Sequence, residues 1–264
     1  MKPLACRWKK RQWDAVNNSC NSTPFGGASF LAGYSSVRYT DGMMNRILEP
    51  ELMEDMQQAL AYAHADFATS HQLRVTWFHE RFGMGSQPTS ILDLCCGGGD
   101  MTFRFARAFS HARIVAVDGS QAMLDIATQD VKAEPELAVR IQFTKAFLPS
   151  NDIPQGDYDL VMSHSALHHF HNPLALWETI RAHARQGTMV FVSDLQRVES
   201  VETAQRIVRE RAGNEHPILQ QDFAASLCAA FTPDEVREQL KASGLNSLRV
   251  EAVGDVYMLI HGVL

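Results

Sequence analysis

Short, mostly apolar runs alternate along this chain with longer segments whose apolar residues recur at helical spacing. Residues 91–95, 113–117, 140–144, 157–163 and 188–193 are runs of strand length, the pattern of strands buried on both faces of a parallel sheet. Helical stretches separate them at residues 100–109, 120–129 and 173–185. This alternation predicts an α/β fold in which right-handed crossovers wind a mostly parallel sheet. Upstream, Leu52, Met56, Leu60, Ala63 and Phe67 follow Pro50 at helical spacing, which predicts a helix starting at that proline. A second helix is expected over residues 72–82. Downstream, TPDEVREQLKASGL reads as a capped helix, with Thr232 at the N-cap, Pro233 first, Glu235 at the capping-box position and Gly244 past the last turn. Residues 248–253 and 256–263 then read as two strands split by Gly254 and Asp255, a hairpin signal.

The stretch between the fifth strand and the capped helix, about 195–231, is an insertion with helical content at VETAQRIVRERA and LQQDFAASLCAAF. It leaves the sheet at the carboxyl edge, where ligands bind in open α/β folds. With the helices of residues 50–82 it is expected to roof that edge. The first forty residues, dominated by Asn, Ser, Gly and Pro in NNSCNSTPFGGAS, read as a poorly ordered arm. The expected organisation is therefore an arm at 1–40, a helical cap at 41–84 and one α/β domain at 85–264.

Composition narrows the function classes. The chain has 264 residues, 45% of them hydrophobic, enough for one good core. A formal net charge of −6 argues against a nucleic-acid-binding surface. Lys9, Lys10 and Arg11 beside Trp8 and Trp13 read as part of the loose arm rather than as an RNA or membrane contact. Five cysteines, two adjacent at Cys95 and Cys96, suggest small buried side chains and no disulfide framework. No apolar run approaches the roughly 18 residues of a membrane span, and the basic start lacks a secretory h-region. Cytoplasm is the expected compartment; the sequence carries no signal for oligomeric state.

The first strand ends in ILDLCCGGGD, and Asp118 closes the second strand nineteen positions after Gly99. Glycines at a strand-to-helix turn let backbone approach a ligand, and an acid ending the next strand can accept hydrogen bonds from ribose hydroxyls. The dinucleotide fingerprint is incomplete, since Thr102 stands where its third glycine belongs, and no Lys-Ser/Thr pair marks a P-loop. Asp93, just before the turn, would repel a pyrophosphate and attract an α-amino group. That preference points to S-adenosylmethionine.

DLCCGGGD followed by VAVDGSQAMLDIA resembles motif I and the following acidic motif of class I S-adenosylmethionine-dependent methyltransferases, over roughly residues 74–264. The resemblance implies a Rossmann-like, seven-stranded, mostly parallel sheet with an antiparallel terminal hairpin, its last strand inserted between strands five and six. It also implies that Asp93 holds the methionine ammonium and that the backbone from Cys95 through Gly97 to Gly99 lines methionine and ribose. Asp118 would take the ribose hydroxyls, with Gly119 and Met123 beside the adenine. Cys95 replaces the family's first glycine, so a slightly wider turn entrance is expected. The third strand lacks the family's frequent adenine-binding acid, so backbone near Ala146 and Phe147 is expected to serve. The Asn/Asp-Pro-Pro-aromatic signature of base or glutamine methylation is absent.

The fourth strand ends in SHSALHHFHNP, similar to the SxxLHH segment of small-molecule members. By that likeness Ser163 and Ser165 line the sulfonium end, and His168 or His169 approaches the acceptor as base or orienting donor. The four histidines there do not suggest a metal, because they fall across a strand end and a turn and should splay apart. Asp194, ending the fifth strand, and Tyr62 and Asp222 in the roof are candidate acceptor contacts, with Tyr34, Tyr39, Arg46, Asp66 and Phe223 as further roof residues. The expected function is in-line methyl transfer to a small-molecule acceptor. The alternatives are an RNA or protein acceptor, served by a basic cleft at Arg206, Arg209 and Arg211, and a binder without turnover.

Overall fold

Among the residues that the computed structural model describes, 37–40 and 42–264, seven strands build one sheet. The arm's Trp8 to Trp13 cluster and Tyr34 lie outside the described residues. The strands are β1 (Ser90–Leu94), β2 (Arg113–Asp118), β3 (Ile141–Lys145), β4 (Leu160–His164), β5 (Met189–Leu195), β6 (Arg249–Val253) and β7 (Tyr257–Val263). Their order is β3-β2-β1-β4-β5-β7-β6, parallel through β5, with β7 antiparallel to both its neighbours. The order reverses at β1, which opens a crevice between the carboxyl ends of β1 and β4.

The helices are α1 (Met56–His64), α2 (Ala68–Phe82), α3 (Asp100–Ala108), α4 (Gln121–Val131), α5 (Pro135–Ala138), α6 (Leu174–His183), α7 (Val201–Ala212), α8 (Pro217–Ala229) and α9 (Pro233–Ala242). Side chains alternate across β1. Leu92 and Leu94 pack with Val161, Val190 and Trp177 on one face, while Ile91 joins Phe105, Phe109 and Phe191 on the other. Asp93 therefore shares the face of Ile91, beneath α3. The predicted capping box of α9 is present, with Thr232 and Glu235 each accepting from the other's backbone N–H.

Two expectations about the cap are corrected. The first helix does not begin at Pro50: Asp55 is its N-cap, accepting from the N–H groups of Gln57 and Gln58. Residues 45–55 instead run without regular structure, because their polar groups are committed elsewhere. The carbonyls of Glu49 and Pro50 face His171 Nε2 at 2.8 Å and His169 Nδ1 at 3.1 Å. The helix also stops at His64, where Ala65 turns extended, so Ala65, Asp66 and Phe67 form a break before α2.

Phe78 of α2 is fully buried. Its ring meets Phe82, Phe105, Phe109 and Phe191 at centroid distances of 4.8, 5.6, 5.4 and 5.7 Å. Edge-to-face and tilted pairs of this kind add to plain area burial. The second upstream helix is thus pinned into the sheet's own core. Phe78→Ala is expected to cost roughly 3–5 kcal/mol of stability, measurable by denaturant titration; a loss under about 1 kcal/mol would show that α2 is not part of this core.

Candidate active site

The carboxyl ends of β1, β2 and β4 open into a cavity of about 1260 Å³. Single-ligand pockets commonly span about 300–1,000 Å³, so this one has room for two molecules. Its floor includes Asp93, Cys95, Gly97, Asp118, Gly119 and Met123, and Ala146 and Phe147 extend it past β3. Its other side is formed by Ser165, His169 and residues of the 50–53 segment, α1 and the break before α2.

The turn after β1 is shaped by backbone. Cys95 has φ +60°, Gly97 +54° and Gly99 +83°, a left-handed path that is costly for any residue with a side chain. Cys95 therefore adopts the conformation for which the family uses glycine. A Cβ on Gly97 would meet nothing within 4 Å, whereas one on Gly99 would lie 2.8 Å from the Phe103 ring. Gly97 leaves open space for a ligand; Gly99 is required by helix packing. Gly99 is not in the cavity wall, so its expected place beside the ligand is corrected.

Asp118 ties this turn to the next one. Its Oδ2 accepts from the N–H of Gly97 and its Oδ1 from the N–H of Ser120, both at 2.8 Å. Each carboxylate oxygen keeps a lone pair for another donor. Ser120 also caps α4 and donates from Oγ to the carbonyl of Met53 at 2.6 Å, which draws the 50–53 segment over the floor. Asp93 is 1% exposed and accepts from Thr102 Oγ1 at 2.5 Å. Burial, opposed by Thr102 and reinforced by the charge of Asp118, pushes its carboxyl up to about 7.

The cap side brings groups that the sequence did not single out. His71 lies under Phe67, with ring centroids 4.6 Å apart, and its Nδ1 is 2.7 Å from Asp100 Oδ2. Arg104 Nε donates to the same oxygen at 2.8 Å. Burial alone would raise the Asp100 carboxyl, but the hydrogen bonds from His71 and Arg104 hold it well below its usual range. Ionised Asp100 fixes the proton of His71 on Nδ1, and burial lowers the imidazole's affinity for a second proton. Asp100 was legible as an acid in a helix's first turn; nothing local marked His71. Tyr62 and Asp66 also line the cavity, whereas Tyr39 and Arg46 do not.

Several candidate residues fall elsewhere. Ser163 and Asp194, 2% and 1% exposed, are not in the wall. Ser163 points off the opposite side of β4 from His164, and its Oγ is buried without a partner. Asp194 is already saturated. It accepts from the backbone of Ala166, Leu167 and Leu195 and from His168 Nδ1, all within 2.6–2.8 Å. His168 is 3% exposed and does not reach the cavity. Burial would lower its proton affinity, but the charge and hydrogen bond of Asp194 raise it. Asp222 and Phe223 on α8 are absent from the wall as well. In fact no residue of 195–231 lines the cavity, so the expected roof is corrected. That insertion packs under Met44 and Ile47 instead, and supports the segment that does the roofing.

The histidines do not all splay. His164 turns to Ser165 Oγ and His171 to the Glu49 carbonyl, but His168 and His169 converge on one carboxylate, Glu49. Its Oε1 is 3.5 Å from His168 Nε2 and 3.4 Å from His169 Nδ1.

A family model described as a methyltransferase domain matches residues 91–187. These residues span β1 to the turn after α6, and so contain the glycine turn, Asp118 and the LHH segment. That stretch therefore matches a methyltransferase domain, and the sheet around it has the fold of known methyltransferases. The chain is 34% identical over 73 residues to a demethylmenaquinone methyltransferase of Lactococcus lactis, covering 27% of this chain and 28% of the relative. A ubiquinone biosynthesis O-methyltransferase of Aeromonas salmonicida is 27% identical over 136 residues, 50% of this chain and 55% of that one. The chain thus spans from about a quarter to about half the length of these relatives. In fold, it is similar to a SAM-dependent methyltransferase from Aquifex aeolicus, with a TM-score of 0.59 at 15% identity over 78% of this chain and 97% of that chain. Human N-acetylserotonin methyltransferase gives a TM-score of 0.54 at 15% identity, over 79% of this chain and 55% of that one.

The cavity floor carries a titration signature. A carboxyl raised to about 7 by burial binds a proton in the folded chain at pH values where the unfolded chain, near 3.9, has lost it. Asp93 therefore favours folding at low pH, and that contribution is lost as pH rises from about 4 through about 7. Asp93→Asn is expected to stabilise the ligand-free protein by on the order of 3 kcal/mol at pH 8 and by little at pH 4. Denaturant melts across this range read the difference; a gap independent of pH would contradict the assignment.

Proposed function

We propose that this chain transfers a methyl group from S-adenosylmethionine to a small organic acceptor, both held in the one cavity. The observation that carries this reading is the charge of the wall. Glu51, Asp66, Asp93, Asp100 and Asp118 line it, and among the described residues there the one Lys or Arg is Arg104, already engaged by Asp100. A nucleotide phosphate would enter against carboxylates with no free cation to receive it. A sulfonium nucleoside bearing an ammonium suits such a wall. The left-handed turn with open space at Gly97, and the spare lone pairs of Asp118, fit its backbone-lined methionine and its ribose.

When bound, S-adenosylmethionine supplies a methyl group activated by the positive sulfur. Asp93 and the turn at residues 95–98 would hold the amino-acid end, Asp118 the ribose, and Gly119, Met123, Ala146 and Phe147 the adenine. His71 is the oriented base of the wall, its Nδ1 proton committed to Asp100 and its Nε2 free to accept a proton from an acceptor hydroxyl. Leu52, Met53, Phe67 and Phe170 add apolar surface to the wall, which suits a flat or lipophilic acceptor. The named substrates of the matched relatives, demethylmenaquinone among them, support a small acceptor. The basic cleft needed by an RNA or protein acceptor gains no support, since Arg206 pairs with Glu210 and Arg211 with Asp255.

Calorimetry is expected to show uptake of S-adenosylmethionine and its demethylated product, and none of NAD or ATP. Asp118→Ala should weaken that uptake roughly 10–100-fold, the worth of one or two hydrogen bonds to a charged group. Preferential binding of ATP would reverse the reading. With a hydroxyl-bearing acceptor found by release of S-adenosylhomocysteine, His71→Gln should lower kcat about 100-fold or more. An unchanged kcat would remove His71 from the chemistry.

A further inference from the structure

We propose that Glu49, His168 and His169 bind one divalent cation of the zinc class at the edge of the cavity. The three donors come together only in the fold, His168 standing 119 positions after Glu49, and their ligand atoms lie within 4.8 Å of one another. Glu49 Oε1 is 3.5 Å from His168 Nε2 and 3.4 Å from His169 Nδ1. Those separations exceed a normal N–H···O hydrogen bond. They match the edge of a tetrahedron of ligands, about 3.4 Å for bonds of about 2.1 Å. Glu49 Oε1 is buried with no hydrogen-bond partner, on a side chain only 9% exposed. An orphaned carboxylate oxygen in that position is expensive unless a cation completes it.

The surroundings are those of a metal site. Asp194 takes the Nδ1 proton of His168 at 2.6 Å, which leaves Nε2 as a lone-pair donor aimed at Glu49, the carboxylate–histidine–metal relay. Ser226 Oγ donates to the other Glu49 oxygen at 3.3 Å. His169 Nδ1 lies 3.1 Å from the Pro50 carbonyl; coordination through Nδ1 takes the tautomer whose single proton sits on Nε2, so the ion replaces that hydrogen bond without net proton release. Two imidazoles and one carboxylate select a borderline cation such as Zn²⁺ over Mg²⁺ or Ca²⁺, which require oxygen donors. His169 and Pro50 also line the cavity, so a remaining coordination position can take an acceptor oxygen and lower its pKa. That last role rests on the proposed methyl transfer; the ion site does not.

Titration of the metal-stripped full chain with Co²⁺, followed by visible absorption, is expected to show one ion per chain with the intense band of four-coordinate cobalt. Zn²⁺ should displace it and excess Mg²⁺ should not. Glu49→Gln and His169→Asn, each with a wild-type circular dichroism spectrum, should weaken binding at least about 10-fold; if one variant fails to fold, the other decides. Absence of stoichiometric binding, or wild-type affinity in the folded variants, overturns the proposal. S-adenosylmethionine uptake is measured separately. A chain that takes the ion but not the nucleoside refutes methyl transfer and leaves the ion site standing.

Discussion

Buried negative charge at the end of two neighbouring strands is the constraint around which this molecule is organised. Asp93 and Asp118 stand on β1 and β2, one almost wholly buried and the other tied to two backbone N–H groups. Neither carboxylate has an ion-pair partner among the described residues; burial raises the cost of ionising both, and the charge of Asp118 adds to that of Asp93. Such an arrangement is unfavourable in the empty fold and becomes favourable with a cationic ligand. The left-handed turn at Cys95 and Gly97 belongs to the same economy, since strained backbone tends to persist where function over-determines it.

The cap is best understood through what holds it down. Arg46 Nε donates to the carbonyl of Ala229, and its Nη2 to those of His168 and Phe170 at 2.6 and 2.9 Å, with the guanidinium stacked 3.9 Å from the Phe231 ring. One side chain thus joins the segment before α1, the insertion's end and the LHH turn. An arginine can do this because its planar fork offers several donors in fixed directions. Beside it, Ser120 fastens Met53 and the 169–171 backbone and side chains fasten residues 49–51. The insertion acts as a buttress for this strap rather than as a lid.

Local sequence was informative where the physics is local. The strands were legible as apolar runs within two residues, except that β4 starts at Leu160, three residues later than expected, because a doubly covered parallel strand has no polar face to display. Caps and the terminal hairpin were legible because Ser, Thr, Asp and Gly act on their own nearest backbone. The cap's first helix was misread at both ends for the converse reason. Pro50 and Phe67 fit the helical period, but Glu49 and Pro50 are spent on contacts with residues far along the chain, and Phe67 stacks on His71 beyond the break.

The sequence by itself determined the sheet, the glycine turn and the two acids at its strand ends, since strand period and turn chemistry are written in consecutive residues. Only the tertiary structure decided which histidine faces what. His168 and His169 are neighbours in sequence, yet one is locked behind Asp194 and the other opens on the cavity. His71 gained Asp100 from a different helix, and Glu49 met the LHH turn from far away in the chain. Those pairings depend on how separate elements pack, and no spacing along the chain encodes a contact made through space.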